Sequence, residues 1–358
     1  MKKSLALLLS LSMVPFALVG CGGSKAPAEA PVAAETPAAE APAAEEPAPA
    51  AGGVKTGLAV ISTTEKSKDA AEEDGLAQVD STVVAVTVDA DGKILKCAIN
   101  AAQTKINFSK AGEVTTDLKA TFKSKQELGT EYGMGKASGL GKEWNEQATA
   151  LADYVVGKTV EEVKAIAVDE TTAPTDAELT SSVTIKIGGY IAAIEKAVAN
   201  AQELGAQADD KLGLAVSTNI EKSKNAAEED GVAQAYSVYV ATTFGADGKI
   251  TSNIIDASQT DVKISKEGKI TSDIKGAYKT KVELGADYGM LKASGIGKEW
   301  FEQSAALSQY VIGKTVDEVK GIAVNETTAP TDAELAASVT VKIGDYIAGI
   351  EKASASAK

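Results

Sequence analysis

Thr82-Val-Val-Ala-Val-Thr-Val88, Asp89-Ala-Asp-Gly92 and Lys93-Ile-Leu-Lys-Cys-Ala-Ile-Asn100 form the part of this chain that decides its fold. Two runs rich in β-branched residues flank a short turn closed by Asp-Gly. Side chains of that kind pack well on a pleated surface, and an Asp-Gly pair tolerates the positive φ of a tight reversal. The pattern predicts a β-hairpin with strands over 82–88 and 93–106. A second turn at Lys110-Ala-Gly112 leads to one more short apolar run, Val114 to Lys119, which predicts a further strand.

The same text occurs again. Val238 to Thr243, Asp247-Gly248 and Lys249 to Ile264 repeat the hairpin, and Ile270 to Lys275 repeats the short run. Gly57 to Glu195 aligns with Gly213 to Glu351 without a gap, and roughly 60% of positions are identical, which composition alone does not produce. Trp144 matches Trp300, Tyr132 matches Tyr288, and Thr184 matches Thr340. About 140 residues is enough to bury a core, so the unit is a whole domain rather than a solenoid turn. The chain therefore divides into a leader over 1–20, a segment over 21–53, repeat 1 over 54–200 and repeat 2 over 201–358. The Ala-rich join between the repeats predicts a helical continuation into a short linker.

Beyond the hairpin the pattern turns helical. Trp144, Ala148, Leu151 and Val155 fall on one face of a helix over 143–156, and Gly157 stands where a C-cap is expected. Thr159-Val-Glu-Glu162 and Thr315-Val-Asp-Glu318 read as capping boxes, as do Thr175-Asp-Ala-Glu178 and Thr331-Asp-Ala-Glu334. A final helix carries Tyr190, Ile191 and Ile194, or Tyr346, Ile347 and Ile350. The expected class is α+β: two tandem repeats, each a small antiparallel sheet with helices packed on one side.

The N-terminal stretch reads differently. Lys2 and Lys3 precede an apolar run from Leu5 to Val19, and Leu18-Val-Gly-Cys21 resembles the lipobox of bacterial lipoproteins. That resemblance implies export, acylation of the Cys21 thiol and cleavage before it. Acyl chains contribute roughly 0.8 kcal/mol per buried methylene, so the expected location is the outer face of the cell membrane, held by lipid. Residues 24–53 are nearly all Ala, Pro and Glu. Such a segment has too few large apolar groups to fold, and at about 3.1 Å per residue it reaches up to about 90 Å from the lipid.

Composition removes several function classes. With 36 basic and 50 acidic side chains the net charge is −14, and no basic face for nucleic acid is expected. The chain has no histidine, which excludes Ser-His-Asp and Cys-His catalysis and the commonest metal ligand. Only Cys21 and Cys97 occur, so a lipidated Cys21 leaves one thiol and no disulfide within the chain. Cys97 faces Asn253 in the other repeat and reads as a small strand residue. Trp144 and Trp300 read as core, and Glu72-Glu-Asp74 with its copy at 228–230 as a solvated face. The glycine-rich loop over 133–141 lacks the spacing of a phosphate cradle.

Leu179-Thr-Ser-Ser-Val-Thr-Ile-Lys-Ile-Gly-Gly-Tyr-Ile-Ala-Ala-Ile194, after a sheet hairpin and a helical middle, resembles the FMN-binding domain of extracytosolic flavin lipoproteins. In that family a Ser-Gly-Ala-Thr type motif carries FMN on its threonine through a phosphoester. The resemblance implies Thr184 and Thr340 as attachment sites, with Ser182 and Ser338 beside them where the family has glycine. It implies FMN as cofactor, electron transfer outside the membrane and a redox partner in the membrane. The other reading of these residues is local, with hydroxyls that satisfy nearby backbone. Two functions therefore stand: an FMN-carrying electron carrier, or a non-catalytic surface lipoprotein that binds a small ligand or a partner. Either is a carrier or binder rather than a turnover enzyme.

Overall fold

The computed structural model describes residues 53–358; the leader, Cys21 and nearly all of the Ala/Pro/Glu segment lie outside the described residues. Repeat 1 opens with three strands, β1 (Lys55–Thr63), β2 (Gly75–Val88) and β3 (Ile94–Phe108). They pair antiparallel in the order β1-β2-β3. Five α-helices follow: α1 (Lys125–Leu128), α2 (Trp144–Tyr154), α3 (Val160–Lys164), α4 (Ala177–Thr180) and α5 (Gly188–Ala199). Repeat 2 has β4 (Lys211–Asn219), β5 (Gly231–Phe244) and β6 (Ile250–Ile264) in the order β4-β5-β6. Its helices are α6 (Lys281–Leu284), α7 (Trp300–Tyr310), α8 (Val316–Lys320), α9 (Ala333–Ala336) and α10 (Gly344–Ser356). The class is α+β, as the sequence predicts.

Each sheet has two apolar faces. Val84, Val86, Ile94 and Ile99 meet Trp144, Leu151, Val183 and Ile194 of the helical layer. The alternate residues Leu58, Val60, Val83 and Ala85 meet Leu212, Leu214, Tyr239 and Ala241 of the other sheet. The order of layers is helices, sheet, sheet, helices. Helices cover one side of each sheet as expected, and the other repeat covers the second side. Some of the cross-repeat bonds come in exchanged pairs. Ala70 N–H donates to Gly268 O at 2.9 Å and Ala226 N–H to Gly112 O at 2.9 Å. Ile270 N–H reaches the Asp69 carboxylate, and Val114 N–H the Asn225 amide oxygen. The repeats thus pair as two copies of a self-complementary surface.

Several local expectations need correction. Val114–Lys119 and Ile270–Lys275 are not strands: Phe108 bridges Val114 and Ile264 bridges Ile270, and the pairing stops there. The third strand is instead β1, from Leu58-Ala-Val-Ile61, at the other edge. The caps of α4 and α9 are Asp176 and Asp332 rather than the preceding threonines, each carboxylate accepting two first-turn amides. The join is helical only to Ala199, the end of α5, and the chain then runs in turns to β4. The boxes at Thr159 and Thr315 form as expected. Gly157 takes φ 82°, the left-handed conformation needed past α2, and gives its N–H to Ile94 O at 2.7 Å. No helix among the described residues is long and apolar enough to cross a membrane.

Helix α5 lies directly on β1, and α10 on β4, because a glycine stands at each crossing. A methyl group on Gly57 would sit 2.0 Å from Ala197 O, and one on Gly213 would sit 1.9 Å from Ala353 O. Backbone cannot yield as a side chain does. Gly57→Ala or Gly213→Ala is expected to lower stability by about 2 kcal/mol, read as a lower denaturation midpoint at unchanged slope.

Candidate functional site

The residues singled out for cofactor attachment are exposed. Thr184 and Thr340 lie at the surface in the turn between α4 and α5, or between α9 and α10. Each is tied down by a fully buried glutamine. Gln147 Oε1 accepts the Thr184 N–H at 2.8 Å, its hydroxyl at 3.2 Å and the Ile185 N–H at 3.2 Å. Gln303 does the same for Thr340 and Val341. The amides of the threonine and of the residue after it are therefore engaged within the protein. Ser182 and Ser338 are half-buried, and Lys298 Nζ donates to Ser338 Oγ at 3.3 Å. Esterifying Thr184 would remove its donated hydrogen and set phosphate oxygens against the Gln147 carbonyl, unless that amide turned over. None of these four residues lines either of the two clefts described below.

The glycine-rich loop is no phosphate cradle either. The Glu143 carboxylate accepts Met134 N–H at 2.8 Å, and Glu299 accepts both Met290 and Leu291 N–H. An internal carboxylate already fills the position of an anion. Glu72, Glu73 and Asp74 are exposed, and no cluster of metal-ligating side chains occurs among the described residues.

Trp144 and Trp300 are 2% exposed. Each indole N–H donates to a tyrosine, Tyr190 at 2.9 Å and Tyr346 at 3.1 Å. Burial raises the Tyr190 phenol to about 12, offset in part by that bond. In repeat 2 the cluster closes round Lys281, which is 5% exposed. Its ammonium lies 4.9, 4.6 and 5.1 Å from the ring centres of Tyr236, Tyr288 and Trp300. Burial brings its pKa down to about 8, helped by Lys222 and opposed by Asp256. Repeat 1 has Lys125 over Tyr132 and Trp144, but Asp80 stands in place of Tyr236 and is paired with Lys66 at 2.8 Å.

The two clefts lie at the seams between the repeats and occupy matching positions. The larger, about 490 Å³, opens between β1 and α5 of repeat 1 and β6, α6 and α7 of repeat 2. The smaller, about 230 Å³, opens between β3, α1 and α2 of repeat 1 and β4 and the end of α10. An ion pair crosses each seam: Lys196 with Glu283 at 2.5 Å, and Lys352 with Glu127 at 2.8 Å. The walls have diverged. Where repeat 1 has Cys97, Asn100, Ala148 and Ala152, repeat 2 has Asn253, Asp256, Ser304 and Ser308.

These four changes place polar groups in one wall of the larger cleft, while Asn145, Thr149 and Asp153 give way there to Phe301, Ala305 and Gln309. Asn253 Nδ2 donates to Ser308 Oγ at 3.1 Å, and Ser304 Oγ donates to Ile255 O at 2.6 Å. Asp256 Oδ1 accepts Ala257 N–H at 2.7 Å and Val282 N–H at 3.2 Å. Burial nevertheless raises its pKa to about 6, against the Thr280 hydroxyl and the two amides, which lower it. Cys97 lies on β3, as its reading as a strand residue expects, and in the smaller cleft burial and Asp153 push its thiol up. The sequence reading missed the clefts because their walls come from distant segments. The signal in the sequence was a run of differences between the copies along β3 and α2 and their counterparts β6 and α7.

No protein-family model, no curated protein and no solved structure matches this chain.

Proposed function

We propose that the protein is a lipid-anchored, extracytosolic binding protein whose small-molecule site is the larger cleft, formed by both repeats together. The observation that carries this reading is the 490 Å³ cleft itself, apolar along Leu58, Ile254, Phe301 and Ile312 and polar at Asp256, Asn253 and Ser308. Ligand sites in proteins fall in that size range and combine an apolar lining with a few placed polar groups. Anchoring rests on Leu18-Val-Gly-Cys21, and the partners are the membrane and the ligand, without nucleic acid. The test uses the full chain recovered from its native membrane. Small molecules that co-purify with it are identified by mass spectrometry and titrated against unfolding temperature, beside an Ala305→Trp variant that fills the cleft. Binders that stabilise the parent and not the variant support the reading. Retention of the same binders by Ala305→Trp would sink it, and Cys21→Ser must release the protein from the membrane.

The exposure of Thr184 and Thr340 in both repeats favours a second reading, FMN on one or both threonines for electron transfer to a membrane partner. Intact mass and visible absorption decide it. Yellow protein heavier by one or two FMN groups, lost in Thr184→Ala or Thr340→Ala, supports it; colourless protein from a cell that flavinylates others counts against it.

A further inference from the structure

We propose that the larger cleft selects organic cations, an ammonium group carried on an apolar body, with the Asp256 carboxylate as the counter-charge. This rests on the cleft being a binding site. The charges in its wall are Lys196, Glu283 and Asp256. Lys196 is committed, since its Nζ donates to Val60 O at 2.7 Å and pairs with Glu283. Among the described residues no ion pair includes Asp256, and Lys281, the other nearby ammonium, is enclosed by its three rings.

Asp256 is 8% exposed. An unpaired carboxylate at that depth is costly, and a cation placed against it recovers much of the cost. Its two backbone bonds and the Thr280 hydroxyl leave acceptor capacity, because an ionised carboxylate offers about four lone-pair sites. The Phe301 ring in the same wall suits a cation or the apolar body beside it. A bare metal ion is a poor fit, since hard cations ask for six or more oxygens and, of the two carboxylates in this wall, Glu283 is already paired with Lys196. The matching seam supplies the contrast. Asn100 holds the same two kinds of amide, from Ala101 and Gln126, without the charge, and its cleft has about half the volume. Asp256 is thus a charge added at a position where the fold needs only an acceptor.

The experiment titrates the full chain with three probes of one shape, 3-phenylpropylammonium, 3-phenylpropanol and 3-phenylpropanoate, by calorimetry. Asp256→Asn and Ala305→Trp are measured beside the parent. Asp256→Asn keeps the acceptor for Ala257 and Val282, as Asn100 does, so it folds. The ammonium is expected to bind the parent about tenfold or more tighter than the alcohol, and the carboxylate more weakly than either. Asp256→Asn removes the preference and leaves the alcohol unchanged; Ala305→Trp removes all binding. Equal affinity for ammonium and alcohol in the parent, with both lost in Ala305→Trp, overturns the cation inference and leaves the cleft as a site. No binding of any probe to the parent, or binding untouched by Ala305→Trp, removes the cleft reading and this inference together.

Discussion

Produced separately, residues 54–200 and 201–358 are expected to fail as soluble monomers. Each repeat alone would turn one whole face of its sheet to water: Leu58, Val60, Val83 and Ala85 in repeat 1, Leu212, Leu214, Val216 and Tyr239 in repeat 2. A second shared cluster, with Ile106 and Phe108 against Ile220, Val262 and Ile264, would be cut as well. At roughly 1.5 to 3 kcal/mol for each large side chain, the exposed surface costs on the order of 10 kcal/mol per repeat. That is comparable to the whole stability of a domain of this size. The lost face is self-complementary in kind, so each fragment should pair with itself, and a mixture should recover the native arrangement. Size-exclusion chromatography and amide exchange check this. Dimers or unfolded chains alone, and a one-to-one complex on mixing, are the expected result; two monomers that each unfold cooperatively would show the sheet-to-sheet face to be dispensable.

That same face explains what the sequence did and did not reveal. The hairpin, the repeat and the boxes at Thr159 and Thr315 depend on neighbours in the chain, so local spacing was enough to place them. Strand β1 went unread because Leu58-Ala-Val-Ile61 is a short apolar run without a turn partner, and its pairing with β2 is non-local. The run Val83-Val-Ala-Val86 carries a hint of the second covered face: apolar residues at every position belong to a strand covered on both faces. Thr175 and Thr331 suit a cap as well as the aspartate that follows each, and only geometry separates them. At Thr184 and Thr340 the motif showed a hydroxyl before a helix but not the buried Gln147 or Gln303 that takes up its amides. The seam clefts were the least legible, being built where residues far apart in the chain meet.

Asp256→Asn is expected to stabilise the protein at neutral pH and to alter its pH dependence. The carboxyl has a pKa raised by burial to about 6 in the folded chain, against an ordinary value of 3.8 in the unfolded one. Between those values the native state holds a proton that the unfolded state has lost, so stability falls as pH rises from about 4 to about 6, and the deficit persists above. The charges around Asp256 do not reverse this. Glu283, on α6, adds to the rise; Lys196 is held by Glu283; the other polar groups that β6 and α7 present to the cleft are the uncharged Asn253, Ser304, Ser308 and Gln309. Lys281 works the other way, its pKa lowered to about 8, so its own burial cost is relieved as pH climbs from 8 towards 10.5. Removing the Asp256 charge forfeits some attraction to that ammonium, which leaves a net gain of about 2 kcal/mol near pH 7. Urea unfolding of parent and variant across pH 4 to 9 measures it: the two curves should meet near pH 4 and separate through pH 6. A variant less stable than the parent at pH 7 would mean that Asp256 already has its counter-charge within the fold, and that the cleft holds no unpaired anion for a ligand to meet.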